Sequence, residues 1–157
     1  MKSAHALIRA IICLPVVFLL LSGCENPITG SSVSKTILGD VAINGYDSVA
    51  YFRAGKAVKG SEANSFQWSG ANWYFSSTEN RDLFAADPKK YAPQYGGYCA
   101  WAMASARKAR TDPEVWKIVD GRLYLNCSRI AFDKWQKDIP GNIKKADANW
   151  LKITGSK

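Results

Sequence analysis

The chain has 157 residues, a net charge of +8 from 21 Lys and Arg against 13 Asp and Glu, and a single histidine. That length holds one domain with a core of its own and excludes two ordinary ones. The basic residues are scattered among acids, in pairs such as Lys89-Lys90 and Lys144-Lys145, which excludes the long basic block of a nucleic-acid-binding segment and reads as a solvated surface.

Lys2 and Arg9 give a positive start, and residues 11–21 form an apolar run too short to span a bilayer comfortably. Leu21-Ser22-Gly23-Cys24 closes the run. This is the layout of a secretory signal, and its ending resembles a bacterial lipobox, in which the cysteine is lipidated and becomes the first residue of the mature protein. The expectation is a signal peptide over residues 1–23, lipidation at Cys24, and a lipid anchor that holds the protein in the bacterial cell envelope, facing the periplasm. Glu25, rather than Asp, follows the cysteine, which in enteric-type sorting favours the outer membrane over the inner. Processing removes Cys13 and His5, so the mature chain has no histidine. Residues 24–36, rich in Ser, Gly, Asn and Pro, read as a flexible tether, and residues 37–157 as the domain. A basic domain on such a tether is drawn modestly to anionic headgroups.

Within the domain, Asp47-Ser48-Val49-Ala50-Tyr51-Phe52 predicts a short helix with Asp47 as N-cap and Gly55 at its end. An aromatic hairpin follows: Phe66 and Trp68 alternate on one strand, Trp73 and Phe75 on the next, with Ser69-Gly70-Ala71 turning between them. Ser76 and Glu79 stand at capping-box spacing before a helix that buries Leu83 and Phe84 and ends at Pro88. Gly96-Gly97 leads into a small-residue helix over about residues 98–106. Trp116-Lys117-Ile118-Val119, Asp120-Gly121 and Leu123-Tyr124-Leu125 spell a second hairpin, since Asp-Gly favours the turn that matches strand twist. Ser128 caps a helix carrying Ile130, Ala131 and Trp135, stopped near Ile139-Pro140. A last helix aligns Ile143, Ala146, Trp150 and Leu151. Two hairpins among several short helices make a compact single α+β domain.

From Gly45-Tyr46-Asp47-Ser48-Val49-Ala50-Tyr51-Phe52 onward the sequence resembles the YHS-domain proteins. The likeness runs through Trp73-Tyr74-Phe75-Ser76-Ser77, Phe84, Pro88 and Tyr91, then Tyr95-Gly96-Gly97-Tyr98-Cys99-Ala100-Trp101-Ala102. Trp116-Lys117-Ile118-Val119-Asp120-Gly121 and Ala146-Asp147-Ala148-Asn149-Trp150 resemble the exported branch of that family. The resemblance implies a metal-associated role by analogy with neighbouring modules. It places metal ligands at a His or Cys directly after the Tyr-Phe pair and at a Cys four residues later. Those positions here are Ser76 and Asn80, neither a soft-metal ligand, and Ser76 reads as a helix cap.

The sulfur chemistry left in the domain is Cys99, Met103 and Cys127. On a helix after Gly97, Cys99 and Met103 share one face, and with Cys127 nearby they would suit Cu(I), a soft ion satisfied by few ligands. The same residues also read as core packing. A third reading pairs Cys99 with Cys127 in a disulfide, which in an oxidising compartment would stabilise the fold by about 3–4 kcal/mol. A fourth makes Cys99 a redox thiol, activated at a helix N-terminus; the resemblance adds that some exported relatives carry selenocysteine in this motif. With no Cys-x-x-Cys pair and no histidine base, a binding module is expected over an enzyme. It would bind a soft metal or another envelope protein; the alternatives are a thiol-redox protein acting through Cys99, and a structural or interaction domain with a Cys99–Cys127 disulfide. Gly96-Gly97 lacks the lysine and spaced glycines of a phosphate loop, and Asp112, Glu114, Asp120 and Asp133 do not follow a calcium-loop spacing.

Overall fold

Both expected hairpins form, each closed by two residues with positive φ: Ser69 (50°) and Gly70 (73°) in the first, Asp120 (50°) and Gly121 (72°) in the second. Left-handed backbone at both central positions matches the twist of the flanking strands, which is why Ser-Gly and Asp-Gly stand there. This computed structural model describes residues 32–37 and 39–155; the expected signal segment, Cys24 and most of the tether lie outside them. Strand β1 (Ser61–Trp68) pairs antiparallel with β2 (Ala71–Phe75), and β3 (Asp112–Val119) with β4 (Arg122–Asn126). Each long strand is interrupted by a bulge, between Ser61 and Ser65 and between Asp112 and Trp116. Among the described residues six α-helices complete the α+β domain: α1 (Ala50–Arg53), α2 (Thr78–Ala86), α3 (Pro88–Tyr91), α4 (Ala100–Ala104), α5 (Arg129–Gln136) and α6 (Ile139–Thr154). None of the described helices is long and apolar enough to cross a membrane.

Several helix ends differ from the sequence expectation, each for a local reason. Ser77, not Ser76, caps α2 by accepting the Asn80 amide at 3.2 Å. Pro88 opens α3 behind the Asp87 cap, and Pro140 lies in the first turn of α6 behind Asp138, whose carboxylate accepts the Gly141 amide. A proline at a helix start forfeits only a donor that has no intrahelical partner anyway. Ser128 caps α5 as expected, through the Ala131 amide. Two residues assigned to buried faces point outward, Ile130 (70% exposed) and Leu151 (52% exposed); on α6 the buried stripe continues through Ile153. Helix α4 is also shorter than its apolar stretch.

Two cores share one strand. Trp73, Phe75 and Phe84 anchor the first, with Phe84 5.0 Å from each of the other two rings. Tyr95, Met103, Tyr124, Phe132, Trp135 and Ala146 form the second, between the second hairpin and α4, α5 and α6. Along β4, Leu123 and Leu125 belong to the first core and Tyr124 to the second, the period-two alternation of a strand buried on both faces. The packed chain also begins before the expected Ile37: Val33 is in the first core and the Ser34 amide bonds the Gly96 carbonyl at 2.8 Å. Gly96 permits this approach, because a Cβ there would run into the Ser32 carbonyl, and its φ of 61° favours glycine.

Candidate functional site

Cys99 and Cys127 meet where the start of α4 faces the junction between β4 and α5. Cys99 is the residue before α4, with extended backbone (φ −58°, ψ 120°), and its amide is held by the Ala109 carbonyl at 2.9 Å. Cys127 follows the last residue of β4 and precedes the Ser128 cap of α5. The Cys127 amide donates to the Cys99 sulfur at 3.3 Å. Cys99 is fully buried with Ala102 and Ala131, whereas Cys127 is exposed, and both are free thiols.

Asn126 completes the arrangement. Its Oδ1 accepts the Trp101 amide at 3.2 Å and the Cys99 thiol at 3.7 Å. Its side chain is buried, and its Nδ2 has no partner among the described residues. No sequence signal marks this asparagine; it closes a strand and reads as an ordinary turn residue.

Burial pushes the Cys99 thiol up to about 11, outweighing the Ala102 and Cys127 amides that pull the other way. Cys99 is therefore a protonated thiol at neutral pH, and the helix behind it, only five residues long, does not turn it into a ready thiolate. Met103 is not part of the site. Because Cys99 lies outside the helical backbone, the four-residue spacing does not put the two side chains on one face; Met103 packs among Tyr95, Tyr124 and Trp135 in the second core. Among the described residues no group of three or more His, Cys, Asp or Glu is placed to hold a metal ion. The sulfur centre is a pair.

A second polar cluster lies where the YHS resemblance puts metal ligands. Asp47, fully buried, receives the Ser76 amide (2.9 Å), the Ser76 hydroxyl (2.6 Å) and the Asn80 side-chain amide (2.7 Å) on Oδ2. Its Oδ1 accepts the Val49 and Ala50 amides at 2.9 and 3.2 Å. Five donors leave this carboxylate little capacity for anything else. Ser76 is therefore not the α2 cap that its spacing suggested; with Asn80 it ties the β2–α2 junction to the start of α1. Asp47 was expected at the N-cap of α1; that position is Val49, two residues on, and the long-range partners of Asp47 left no trace in the sequence.

The chain matches no protein-family model, no curated protein and no solved structure.

Proposed function

We propose that the chain is an exported YHS-domain protein, lipid-anchored through Cys24 in the bacterial cell envelope, whose domain binds a soft metal ion, Cu(I), between Cys99 and Cys127. The observation that supports the metal reading is the 3.3 Å contact of the Cys127 amide with the Cys99 sulfur, which brings the backbone of the second cysteine onto the sulfur of the first. Thiolates select soft ions, and Cu(I) is satisfied by few ligands. Binding displaces the thiol protons; the Cys127 amide already points at the Cys99 sulfur and stabilises the charge it then carries. The processed chain has no histidine to act as a base, which favours a ligand over a nucleophile.

Anaerobic Cu(I) titration of the processed chain against a chromophoric chelator tests this. Stoichiometric uptake is expected, lost in Cys99→Ser and in Cys127→Ser, and retained in Met103→Leu and Ser76→Ala. Equal uptake by Cys99→Ser overturns the site. The anchor is tested separately: Cys24→Ala should move the protein to the soluble fraction with its melting unchanged, and undisturbed membrane fractionation refutes lipidation. The same sulfur contact favours a second reading, a disulfide spanning 28 positions. Protein isolated without reductant that shows no alkylatable thiols until reduced would select it.

A further inference from the structure

We propose that the groove between the tip of the first hairpin and α6 is the face the domain lays against its own membrane, with Trp68 and Trp150 at headgroup level and Lys89 against lipid phosphate. This rests on the reading that Cys24 carries the lipid. The groove encloses about 560 Å³ and is lined by Trp68 at the end of β1, Trp150 on α6 and Lys89 on α3. Both indoles are partly exposed. Trp68 rests on Trp73 and Phe84, and Trp150 on Tyr95 and Tyr98, so each ring is held firmly from behind. Among the described residues neither indole N–H is hydrogen-bonded, in contrast to Trp73, whose N–H bonds the Trp68 carbonyl at 3.1 Å. A ring with an apolar body and an unspent donor suits the boundary between acyl chains and headgroups.

The path of the chain selects a membrane over a free ligand or a second copy. Ser32, the first described residue, lines this same groove, and its segment is pinned there by the bond from Ser34 to Gly96. About eight residues separate Ser32 from Cys24, a reach of at most ~29 Å when fully extended. A tether of that reach leaving from the rim holds this edge of the domain within ~29 Å of the bilayer. Lys89 and its neighbour Lys90 are exposed beside the groove, which gives the face the charge that anionic headgroups attract.

The test uses the full lipidated protein in vesicles with and without anionic lipid, read by two independent signals. Flotation reports the anchor, and quenching of tryptophan emission by brominated acyl chains reports contact of the groove. Quenching is expected to involve two of the six tryptophans, to be stronger in anionic vesicles, and to vanish in Trp68→Phe/Trp150→Phe while flotation persists. Trp135→Phe, altering a buried ring, should leave it unchanged. Should the double variant fail to fold, Lys89→Glu serves in its place and should remove the anionic enhancement. Protein that floats without being quenched, or that is quenched equally after both rings are replaced or after Lys89→Glu, overturns the docking face and leaves the anchor standing. Protein that does not float overturns both. Crosslinked dimers in place of lipid contact would reassign the groove to a second copy and refute the proposal.

Discussion

Replacing Asp47 by Asn isolates the charge of the buried carboxylate while keeping its shape. Every partner of Asp47 is a donor: four N–H groups and the Ser76 hydroxyl. If the new amide nitrogen takes the Oδ1 position, the Val49 and Ala50 amides face another donor. If it takes the Oδ2 position, the Ser76 amide and the Asn80 side chain do, and only the hydroxyl can turn to accept. Either way two donors lose their acceptor, at about 1–3 kcal/mol each, so Asp47→Asn should destabilise the fold by about 2–6 kcal/mol. Asn80→Ala removes one bond to a charged group and should cost about 1.5–3 kcal/mol. Ser76→Ala removes the hydroxyl that donates to Asp47 and accepts a long 3.4 Å bond from the Asn80 amide, at an exposed residue, and should cost about 1.5 kcal/mol. Urea unfolding followed by tryptophan fluorescence, compared at a common m-value, measures the series. Asp47→Asn within ~0.5 kcal/mol of wild type, the ordinary range of surface substitutions, would refute the clasp.

Trp73→Ala should destabilise by about 3–5 kcal/mol, the range for truncating a buried aromatic, since Trp73 is 1% exposed and packs on Phe84. Trp116→Ala should cost less, because Trp116 is only partly buried against the same core; an equal loss in chemical denaturation would show that the faces of the second hairpin are misassigned. The pH profile of stability follows from Cys99. Its folded thiol lies above the ordinary value of 9.0, at about 11, so between these values the native state keeps a proton that the unfolded state has released. Stability is therefore whole below pH 9 and falls as pH rises toward 11. The buried Tyr51 and Tyr95 hydroxyls, also raised by desolvation, add a decline in the same direction from pH 10 upward. Cys99→Ala should flatten the early part of the fall; an identical profile in thermal melts would show that Cys99 is not the group responsible.

The hairpins were legible because their signals are local: Ser69-Gly70 and Asp120-Gly121 each write a turn, and the alternation of Phe66 with Trp68 and of Trp73 with Phe75 writes two faces. The start of α5 at Ser128 was legible and that of α2 to within a residue, whereas the starts capped by Asp87 and Asp138 were hidden because Pro88 and Pro140 read as helix ends; Ser76 and Ser77 show a further limit. Both are chemically able to cap α2; the choice is made by Asp47, 29 positions away, which claims Ser76. The candidate site divides the same way. That Cys99 and Cys127 would meet depends on how the β4–α5 junction packs against α4, a tertiary fact with no periodic trace. Met103 was drawn in by a helical spacing that holds only if Cys99 has helical backbone, and its extended ψ removes that premise. Ile130 and Leu151 misled for a simpler reason, since an apolar residue beside a buried stripe carries no mark of the side it faces.

Sharing β4 between two cores has a consequence for how the molecule comes apart. Freeing the first core exposes Leu123 and Leu125, and freeing the second exposes Tyr124 on the same three-residue stretch. Neither half can loosen without stripping one face of the strand that the other half needs. The domain should therefore open as one cooperative unit, and the β4 amides should exchange with solvent only through global unfolding. Because Asn126 and Cys127 continue that strand, the thiol pair is fastened to the last part of the molecule to give way.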